Sequence, residues 1–124
     1  MLKIGSEPFL ECSTKGDKRF SAFYARIKSR NNLSIEEIYQ GAKILEDGST
    51  NHSWMDVKGK QAVNQKEVSE LYSELWTEYF LENQYLINVL NEYNGFSDIF
   101  GQRNHCCQAV EIYRIKNLFK EGGI

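Results

Sequence analysis

The sequence has 124 residues, of which 41% are hydrophobic and 26% charged, which predicts a single globular domain of residues 1–124 around one core. Its formal net charge of -2 argues against binding of long DNA or RNA, because proteins that wrap nucleic acids usually carry a clear basic excess. Three cysteines, no N-terminal signal segment and no apolar run near the roughly 20 residues of a membrane helix predict a soluble, cytoplasmic protein without membrane contact.

The N-terminal third of the chain predicts two strands separated by a turn. Phe9–Cys12 is a short apolar run, and the small and polar residues of Ser13–Asp17 are typical of a turn. Arg19–Lys28 contains several aromatic residues without helical spacing, which favours a strand. Ser29–Asn32 then predicts a loop that begins among basic residues.

A helix and a long loop are predicted next. Ser34–Glu37 has the pattern of a capping box, in which the serine hydroxyl accepts an N–H at the third helical residue. Apolar residues at three- and four-residue spacing continue this helix to Glu46–Gly48. Residues 48–63 form a loop that is long for a compact domain, and such loops often carry function. Trp54 lies in this loop, either as an anchor to the core or as a wall of a ligand site.

The most regular pattern in the sequence is the helix that follows Asn64, the predicted N-cap. A break at Glu82–Gln84 separates it from a shorter helix, which ends at Asn94–Gly95. The long helix carries one apolar stripe at three- and four-residue spacing, formed by Val68, Leu71, Tyr72, Leu75, Trp76, Tyr79 and Phe80.

The C-terminal part repeats the order of strand, polar loop and helix. Phe96–Phe100 predicts a short strand, and Val110–Lys120 predicts an amphipathic helix. Between them lies a stretch with a glycine, an arginine, a histidine and two cysteines. Together the elements predict an α/β fold, a small single domain with a short, partly parallel sheet flanked by three to four helices.

Two polar loops at predicted helix starts are candidates for binding an anionic or nucleotide-like ligand. The first N–H groups of a helix lack internal partners and carry partial positive charge, and arginine matches phosphate oxygens in a bidentate manner. Aromatic side chains nearby offer surfaces on which a base stacks. The predicted ligand-binding residues are Tyr24, Arg26, Lys28, Ser29 and Arg30 around the first loop, Trp54 in the long loop, and Gln102, Arg103 and Gln108 around the last.

Other chemistries fit the sequence less well. His105, Cys106 and Cys107 are adjacent, whereas zinc ligands are usually two to four residues apart, so no metal site is predicted. The standard dinucleotide and P-loop fingerprints are absent, and no cofactor is predicted. A thiol nucleophile at Cys106 or Cys107 would need a base in contact with it, and packing is the more frequent role of such cysteines. A carboxylate for glycosidic chemistry remains open among Glu36, Glu37, Asp98 and Glu111.

Four segments of the sequence resemble a family of small, largely uncharacterised bacteriophage proteins. The resemblance covers about residues 23–115, and residues 1–20 form a variable N-terminal segment outside it. The segments are Tyr24-Ala25-Arg26-Ile27-Lys28-Ser29-Arg30 with Ser34-Ile35-Glu36-Glu37-Ile38-Tyr39-Gln40, then Lys58-Gly59-Lys60-Gln61-Ala62-Val63-Asn64, then Leu75-Trp76-Thr77-Glu78-Tyr79 with Glu82-Asn83, and last Ser97-Asp98-Ile99-Phe100-Gly101-Gln102 through Cys107-Gln108-Ala109.

The order of elements is also similar, more distantly, to a widespread uncharacterised Rossmann-like domain. Members of that domain open with an extended segment ending in an arginine loop and close with a leucine-rich helix, a short strand and a cysteine-containing loop. This chain lacks the domain's usual G-N-P-F sequence and its C-x-C pair. The resemblance implies a small α/β sheet that binds ligands at the carboxyl ends of its strands.

From these observations we expect a phage-type protein that binds a small nucleotide-like ligand, for example to sequester a signalling nucleotide of host defence. One alternative is an enzyme that acts on a nucleotide or its N-glycosidic bond, with a carboxylate or Cys107. Another is a module that inhibits a host enzyme through its aromatic surface. A homo-oligomer is compatible with each function, because small aromatic-rich domains often self-associate.

Overall fold

The computed structural model describes residues 1–50, 57, 60–101 and 106–120. The described part of the chain includes strands that form two small sheets and helices of very different length. The strands are β1 (Leu2–Gly5), β2 (Phe9–Glu11), β3 (Arg26–Ile27), β4 (Leu33–Ser34) and β5 (Gly95–Asp98), and the helices are α1 (Ile35–Gly41), α2 (Gln65–Glu82), α3 (Tyr85–Leu90) and α4 (Gln108–Lys120).

The main sheet has three strands in the order β1, β5, β2. β5 pairs with β1 in the antiparallel sense, with Leu2 opposite Asp98, and with β2 in the parallel sense, with Leu10 opposite Phe96. All four residues of β5 are buried because neighbours cover it on both edges and α4 packs against it. The predicted α/β fold with a short, partly parallel sheet flanked by helices is confirmed.

The contacts between elements run from the main sheet through α4 to α2, and from α2 to α1 and β3. The apolar stripe predicted for the long helix is confirmed, since only Leu71 of its seven residues is half-buried and the rest are buried. Trp76 and Phe80 are fully buried and stack with ring centroids 6.0 Å apart. None of the described helices is both long and apolar enough to cross a membrane.

α1 begins where the capping pattern places it, and it ends earlier than predicted. The Ser34 hydroxyl accepts the Glu37 N–H at 3.1 Å, which confirms the serine half of the capping box. The predicted helix end near Glu46–Gly48 is wrong, because α1 stops at Gly41. Asn64 accounts for the difference, since its amide accepts from the Ile44 N–H at 2.9 Å and donates to the Ala42 carbonyl at 3.1 Å.

This use of Asn64 also corrects its predicted role. The residue stands at the N-cap position of α2, but its side chain makes no capping hydrogen bond there. The amide instead satisfies backbone groups that follow α1, which need partners because the last carbonyls of a helix have none inside it. Asn64 therefore joins the end of α1 to the start of α2.

The long strand predicted over Arg19–Lys28 is wrong. Lys18–Phe20 is a 3-10 helix whose first turn is capped by the Asp17 carboxylate, which accepts the Arg19 N–H at 3.0 Å. The Ser21 carbonyl then accepts the N–H groups of Tyr24 and Ala25, so the backbone bonds locally and not across a sheet. Only β3 remains extended, and it pairs with β4 to form the second sheet.

Neither β1 nor β4 was predicted from the sequence. β4 has only two residues, and β1, although its burial alternates, is stabilised by pairing with the distant strand β5. The β3–β4 connection contains Asn31 and Asn32, both with φ of 58°. Asparagine tolerates this left-handed conformation better than most residues, which explains why the chain can reverse there.

The N-cap of α1 gives a test of the fold. Ser34→Ala removes the acceptor for the Glu37 N–H, and we expect the free energy of unfolding to fall by about 1 kcal/mol. Urea denaturation measures the loss. Ser73→Ala inside α2 is the control and should leave stability unchanged or slightly higher, because alanine is the better helix former. An equal effect of both substitutions would contradict the capping role.

Candidate functional site

A buried glutamine connects the end of the main sheet to the start of α1. Gln108, the first residue of α4, donates its amide Nε2 to Asp98 Oδ2 at 2.9 Å. Its Oε1 accepts the Ala22 N–H at 2.7 Å. The Ala22 carbonyl in turn accepts the Glu36 N–H at 3.0 Å. These bonds hold the carboxyl end of β5, the turn after the 3-10 helix and the first turn of α1 in one fixed arrangement.

The chain of hydrogen bonds continues inside α1. Gln40 Nε2 donates to Glu36 Oε1 at 2.7 Å, and both side chains are buried although both are polar. The bond is the i, i+4 type, which a helix brings into register on one face. α1 therefore presents a buried polar face, one turn of which is linked through the backbone to Gln108.

This polar face meets aromatic side chains of α2. We call the group formed by Glu36, Tyr39, Gln40, Lys43, Tyr72 and Trp76 the α1–α2 polar cluster. All six are buried in the folded chain, and the rings of Tyr39 and Tyr72 meet edge to face with centroids 5.0 Å apart. Tyr72 and Trp76 meet in a similar way at 6.5 Å.

Two polar atoms of this cluster have no hydrogen-bond partner. Among the described residues, the buried side-chain atoms in this condition are Gln40 Oε1 and Trp76 Nε1, on side chains that are 5% and 0% exposed. The indole N–H of Trp76 is near enough to the Tyr72 hydroxyl to lower its pKa, against the larger raising effect of burial, but it does not make a well-formed hydrogen bond. Because a buried polar group without a partner costs about 1–3 kcal/mol, such groups are usually satisfied by water or a ligand.

Described residues of two of the three predicted ligand-binding loops, the long loop and the loop before α4, lie near this cluster. Lys43 Nζ donates to the Lys60 carbonyl at 3.0 Å and lies 3.5 Å from the Val57 carbonyl. The Cys106 thiol lies 3.6 Å from Ser69 Oγ and also interacts with the Tyr39 hydroxyl. The long loop and the loop before α4 therefore both reach the polar face of α1.

The pKa values of Tyr39, Tyr72 and Lys43 are shifted towards the neutral forms of these groups. Burial raises the pKa of Tyr39, and the neighbouring Cys106 and Glu36 add to the shift. Burial also raises the pKa of Tyr72. Burial lowers the pKa of Lys43, although Glu36 and Cys106 oppose the change. The two hydroxyls therefore stay protonated at neutral pH and can donate or accept hydrogen bonds.

The predicted basic loop is engaged by acidic side chains of α2. The Glu82 carboxylate accepts the N–H groups of Lys28 and Ser29 at 2.8 and 3.1 Å. Arg30 forms an ion pair with Glu78, with Nη2 2.9 Å from Oε2. The carboxylates thus occupy the positions that a phosphate would use, and any ligand there would have to displace them.

The other predicted ligand-binding residues lie in different surroundings. Arg26 is exposed and donates to the Asn32 carbonyl at 2.9 Å, while the exposed ring of Tyr24 has Lys18 Nζ 4.9 Å from its centroid. Gln108 is buried, with both ends of its amide bonded as described above. Trp54, Gln102 and Arg103 lie outside the described residues, so the proximity of the three predicted loops stays a prediction.

The carboxyl ends of β2 and β5 form a second polar group. Glu11 accepts from Ser97 Oγ at 2.8 Å and from the N–H groups of Ser13 and Ile99 at 3.1 Å. Asp98 accepts from the Phe100 N–H at 3.0 Å as well as from Gln108. These carboxylates are saturated by the chain itself, which is typical of a structural network.

The cysteines at this edge are protonated at neutral pH. Burial raises the pKa of the Cys12 thiol, and the charge of Asp98 adds to the effect. Burial also raises the pKa of Cys107, although the N–H groups of Val110 and Ala109 partly oppose the shift. A thiolate nucleophile at Cys107 is therefore disfavoured, because the reactive form is the deprotonated one.

Sequence reasoning missed most of the α1–α2 polar cluster. Glu36 was considered only as one of several carboxylates, and Trp76 only as part of an apolar stripe. A signal was present in Glu36 and Gln40, which are four residues apart within α1, and in Lys43, which follows shortly after the end of the helix. In a helix that spacing places polar groups on one face, which is unusual for a face that is buried.

Comparison with protein-family models found no match, and comparison with curated proteins found no significant similarity. The resemblance to phage proteins and to a Rossmann-like domain therefore stays a prediction from the quoted segments.

The Gln108 network predicts a large loss of stability when its amide is removed. Gln108→Leu keeps the size of the side chain but leaves the Ala22 N–H and the Asp98 carboxylate without the hydrogen bonds that the amide makes to them. We expect the free energy of unfolding to fall by about 3 kcal/mol, measured by urea denaturation. Gln84→Leu, at an exposed position, should change it by less than about 0.5 kcal/mol. A loss for Gln108→Leu below about 1 kcal/mol would show that the network is not essential.

Glu11 predicts a defined pH dependence. Burial raises its pKa, but hydrogen bonds from Ser13, Ile99 and Ser97 outweigh burial, so the folded pKa lies below the ordinary value of 4.5. The ionised Glu11 carboxylate therefore stabilises the folded state fully above about pH 4.5, and this stabilisation is lost as the pH falls through the folded pKa. The melting temperature of the wild type should exceed that of Glu11→Gln at about pH 7, and the gap should close towards about pH 3. A gap independent of pH would contradict this role.

Proposed function

We propose that the protein binds a small nucleotide-like ligand and holds it at the α1–α2 polar cluster. The observation that supports the proposal is the pair of unpartnered buried atoms, Gln40 Oε1 and Trp76 Nε1. One is an acceptor and the other a donor, so together they suit a ligand that carries both kinds of group. A nucleobase carries both kinds of group on its edge.

The surroundings of these atoms also favour a planar, partly polar ligand. Tyr39, Tyr72 and Trp76 supply aromatic surface, and Gln40 is held in position by its bond to Glu36. Small-molecule sites are mostly apolar, with a few fixed polar groups that set orientation. The aromatic rings and the Gln40 amide have this composition.

The ligand in this proposal is a signalling nucleotide of a bacterial host, and the protein acts by sequestration in the cytoplasm of the infected cell. The resemblance to bacteriophage proteins motivates the biological setting. The protonated state of Cys107, Tyr39 and Tyr72 at neutral pH supports holding a ligand over changing it, because an acid–base catalyst works best with a pKa near the ambient pH.

An enzyme that acts on a nucleotide or its N-glycosidic bond is the second candidate. Glu36 supports it, because a buried carboxylate beside a lysine and a tyrosine is an arrangement that catalytic sites share. In this case Glu36 would assist departure of the base, and the product would differ from the ligand supplied.

The proposal is tested with a panel of cyclic mononucleotides, cyclic dinucleotides and ADP-ribose-type nucleotides. We expect at least one to bind, as measured by calorimetry, and to be recovered chemically intact after heat denaturation of the complex. Trp76→Phe removes one unpartnered group and should weaken binding by about tenfold, the effect of one hydrogen bond. Gln40→Met removes the other unpartnered group together with the donor to Glu36, and it should weaken binding by at least as much.

Matched controls separate binding from stability. Tyr79→Phe removes a hydroxyl from the same helix, where it donates to the Arg19 carbonyl at 2.7 Å, and Gln84→Met repeats the glutamine change at an exposed site. Both should bind within about twofold of the wild type. A chemically altered nucleotide that forms with the wild type but not with a Glu36 variant would support the enzyme. Absence of binding to every member of the panel would reject both functions.

A further inference from the structure

We propose that the ligand is recognised through the edge of its base and that its phosphate contributes little to affinity. This inference rests on the proposed function and specifies the class of ligand, namely one whose nucleoside alone is sufficient for binding. Of the described phosphate candidates, the N–H groups of Lys28 and Ser29 and the Arg30 side chain are already occupied by carboxylates, whereas the unpartnered groups of the cluster are uncharged.

The basic loop supplies the first part of the reasoning. A phosphate at the N–H groups of Lys28 and Ser29 would compete with the Glu82 carboxylate, which both groups already hold. Hydrogen bonds from Ser29 and Lys28 lower the pKa of Glu82 against the opposing effect of burial, so the carboxylate stays charged at neutral pH. Glu78 adds a second negative charge beside Arg30. An approaching phosphate would therefore meet repulsion as well as occupied donors.

The groove beside the end of α1 leads to the same conclusion. It has a volume of about 660 Å³ and is lined by Leu45, Glu46, Asp47, Lys60, Gln61, Ala62 and Val63. The two carboxylates outnumber the single lysine, so the groove offers no net attraction for an anion.

The cluster itself favours a neutral ligand group. Gln40 Oε1 and Trp76 Nε1 are uncharged, and they would pair with an N–H donor and with a ring nitrogen or carbonyl acceptor. Lys43 is committed to the Lys60 carbonyl, and burial lowers its pKa, which weakens it as a phosphate-binding cation. A nucleobase presents neighbouring donor and acceptor groups, whereas a phosphate presents acceptors only.

The test compares each nucleotide that binds with its dephosphorylated nucleoside and with ribose 5-phosphate. We expect the nucleoside to bind within about tenfold of the nucleotide, and ribose 5-phosphate to show no binding at about 1 mM. Affinity should change by less than about twofold between low and moderate salt, because little charge is paired on binding. Arg26→Ala and Arg30→Ala should each change it by less than about threefold, whereas Gln40→Met weakens nucleoside and nucleotide equally.

The outcomes distinguish this inference from the proposed function. A nucleoside that binds more than about a hundredfold more weakly than its nucleotide would overturn base-edge recognition and leave nucleotide binding intact. Binding of ribose 5-phosphate that is abolished by Arg30→Ala would likewise overturn base-edge recognition and leave nucleotide binding intact. If no nucleotide of the panel binds, the proposed function fails, and base-edge recognition fails with it.

Discussion

The side chain of Gln108 is the interaction on which the arrangement of the described chain depends. Its amide bonds to Asp98 at the end of β5 and to the backbone of Ala22, whose carbonyl holds the first turn of α1. These segments are far apart in sequence, and the amide is buried where water cannot replace it. Because an amide has one donor side and one acceptor side, it can join a carboxylate to a backbone N–H, which neither a carboxylate nor a lysine could do.

This connection explains how a polar helix face can exist inside the protein. Burying Glu36, Gln40 and Lys43 costs free energy unless each group finds partners. The structure provides the Glu36–Gln40 bond and the Lys43–carbonyl bonds, and the Asn64 amide satisfies backbone groups after α1. The remaining deficit lies at Gln40 Oε1 and Trp76 Nε1. In proteins such a deficit is usually satisfied by ordered water or by a ligand, and local rules are broken most often at functional sites.

The sequence was sufficient for features that local physics determines. The α2 stripe, the Ser34 cap and the α/β class follow from spacing and from residues that act on near neighbours. Sequence patterns failed where a distant partner decides the outcome. Nothing within a few residues of Asn64 reveals that its amide serves α1, and the aromatic residues of Arg19–Lys28 gave no sign that Asp17 and Ser21 would turn the backbone. The α1–α2 polar cluster was missed for the same reason, because Tyr39 and Tyr72 are far apart in the sequence and meet only when α1 packs on α2.

The charge pattern of α2 bears on how such a site would select its ligand. Glu78 and Glu82 face the basic loop, while Tyr72, on the same helix, packs against Tyr39 of α1, and Trp76 packs against Tyr72. One helix thus supplies carboxylates to the backbone and to Arg30 of the basic loop and also carries the indole of the α1–α2 polar cluster. A contact to phosphate strengthens the binding of every nucleotide about equally. Because selectivity is a difference between affinities, a site without such a contact discriminates through its other contacts. For the proposed function, an uncharged site therefore gives more selectivity among nucleotides than a strong phosphate clamp would.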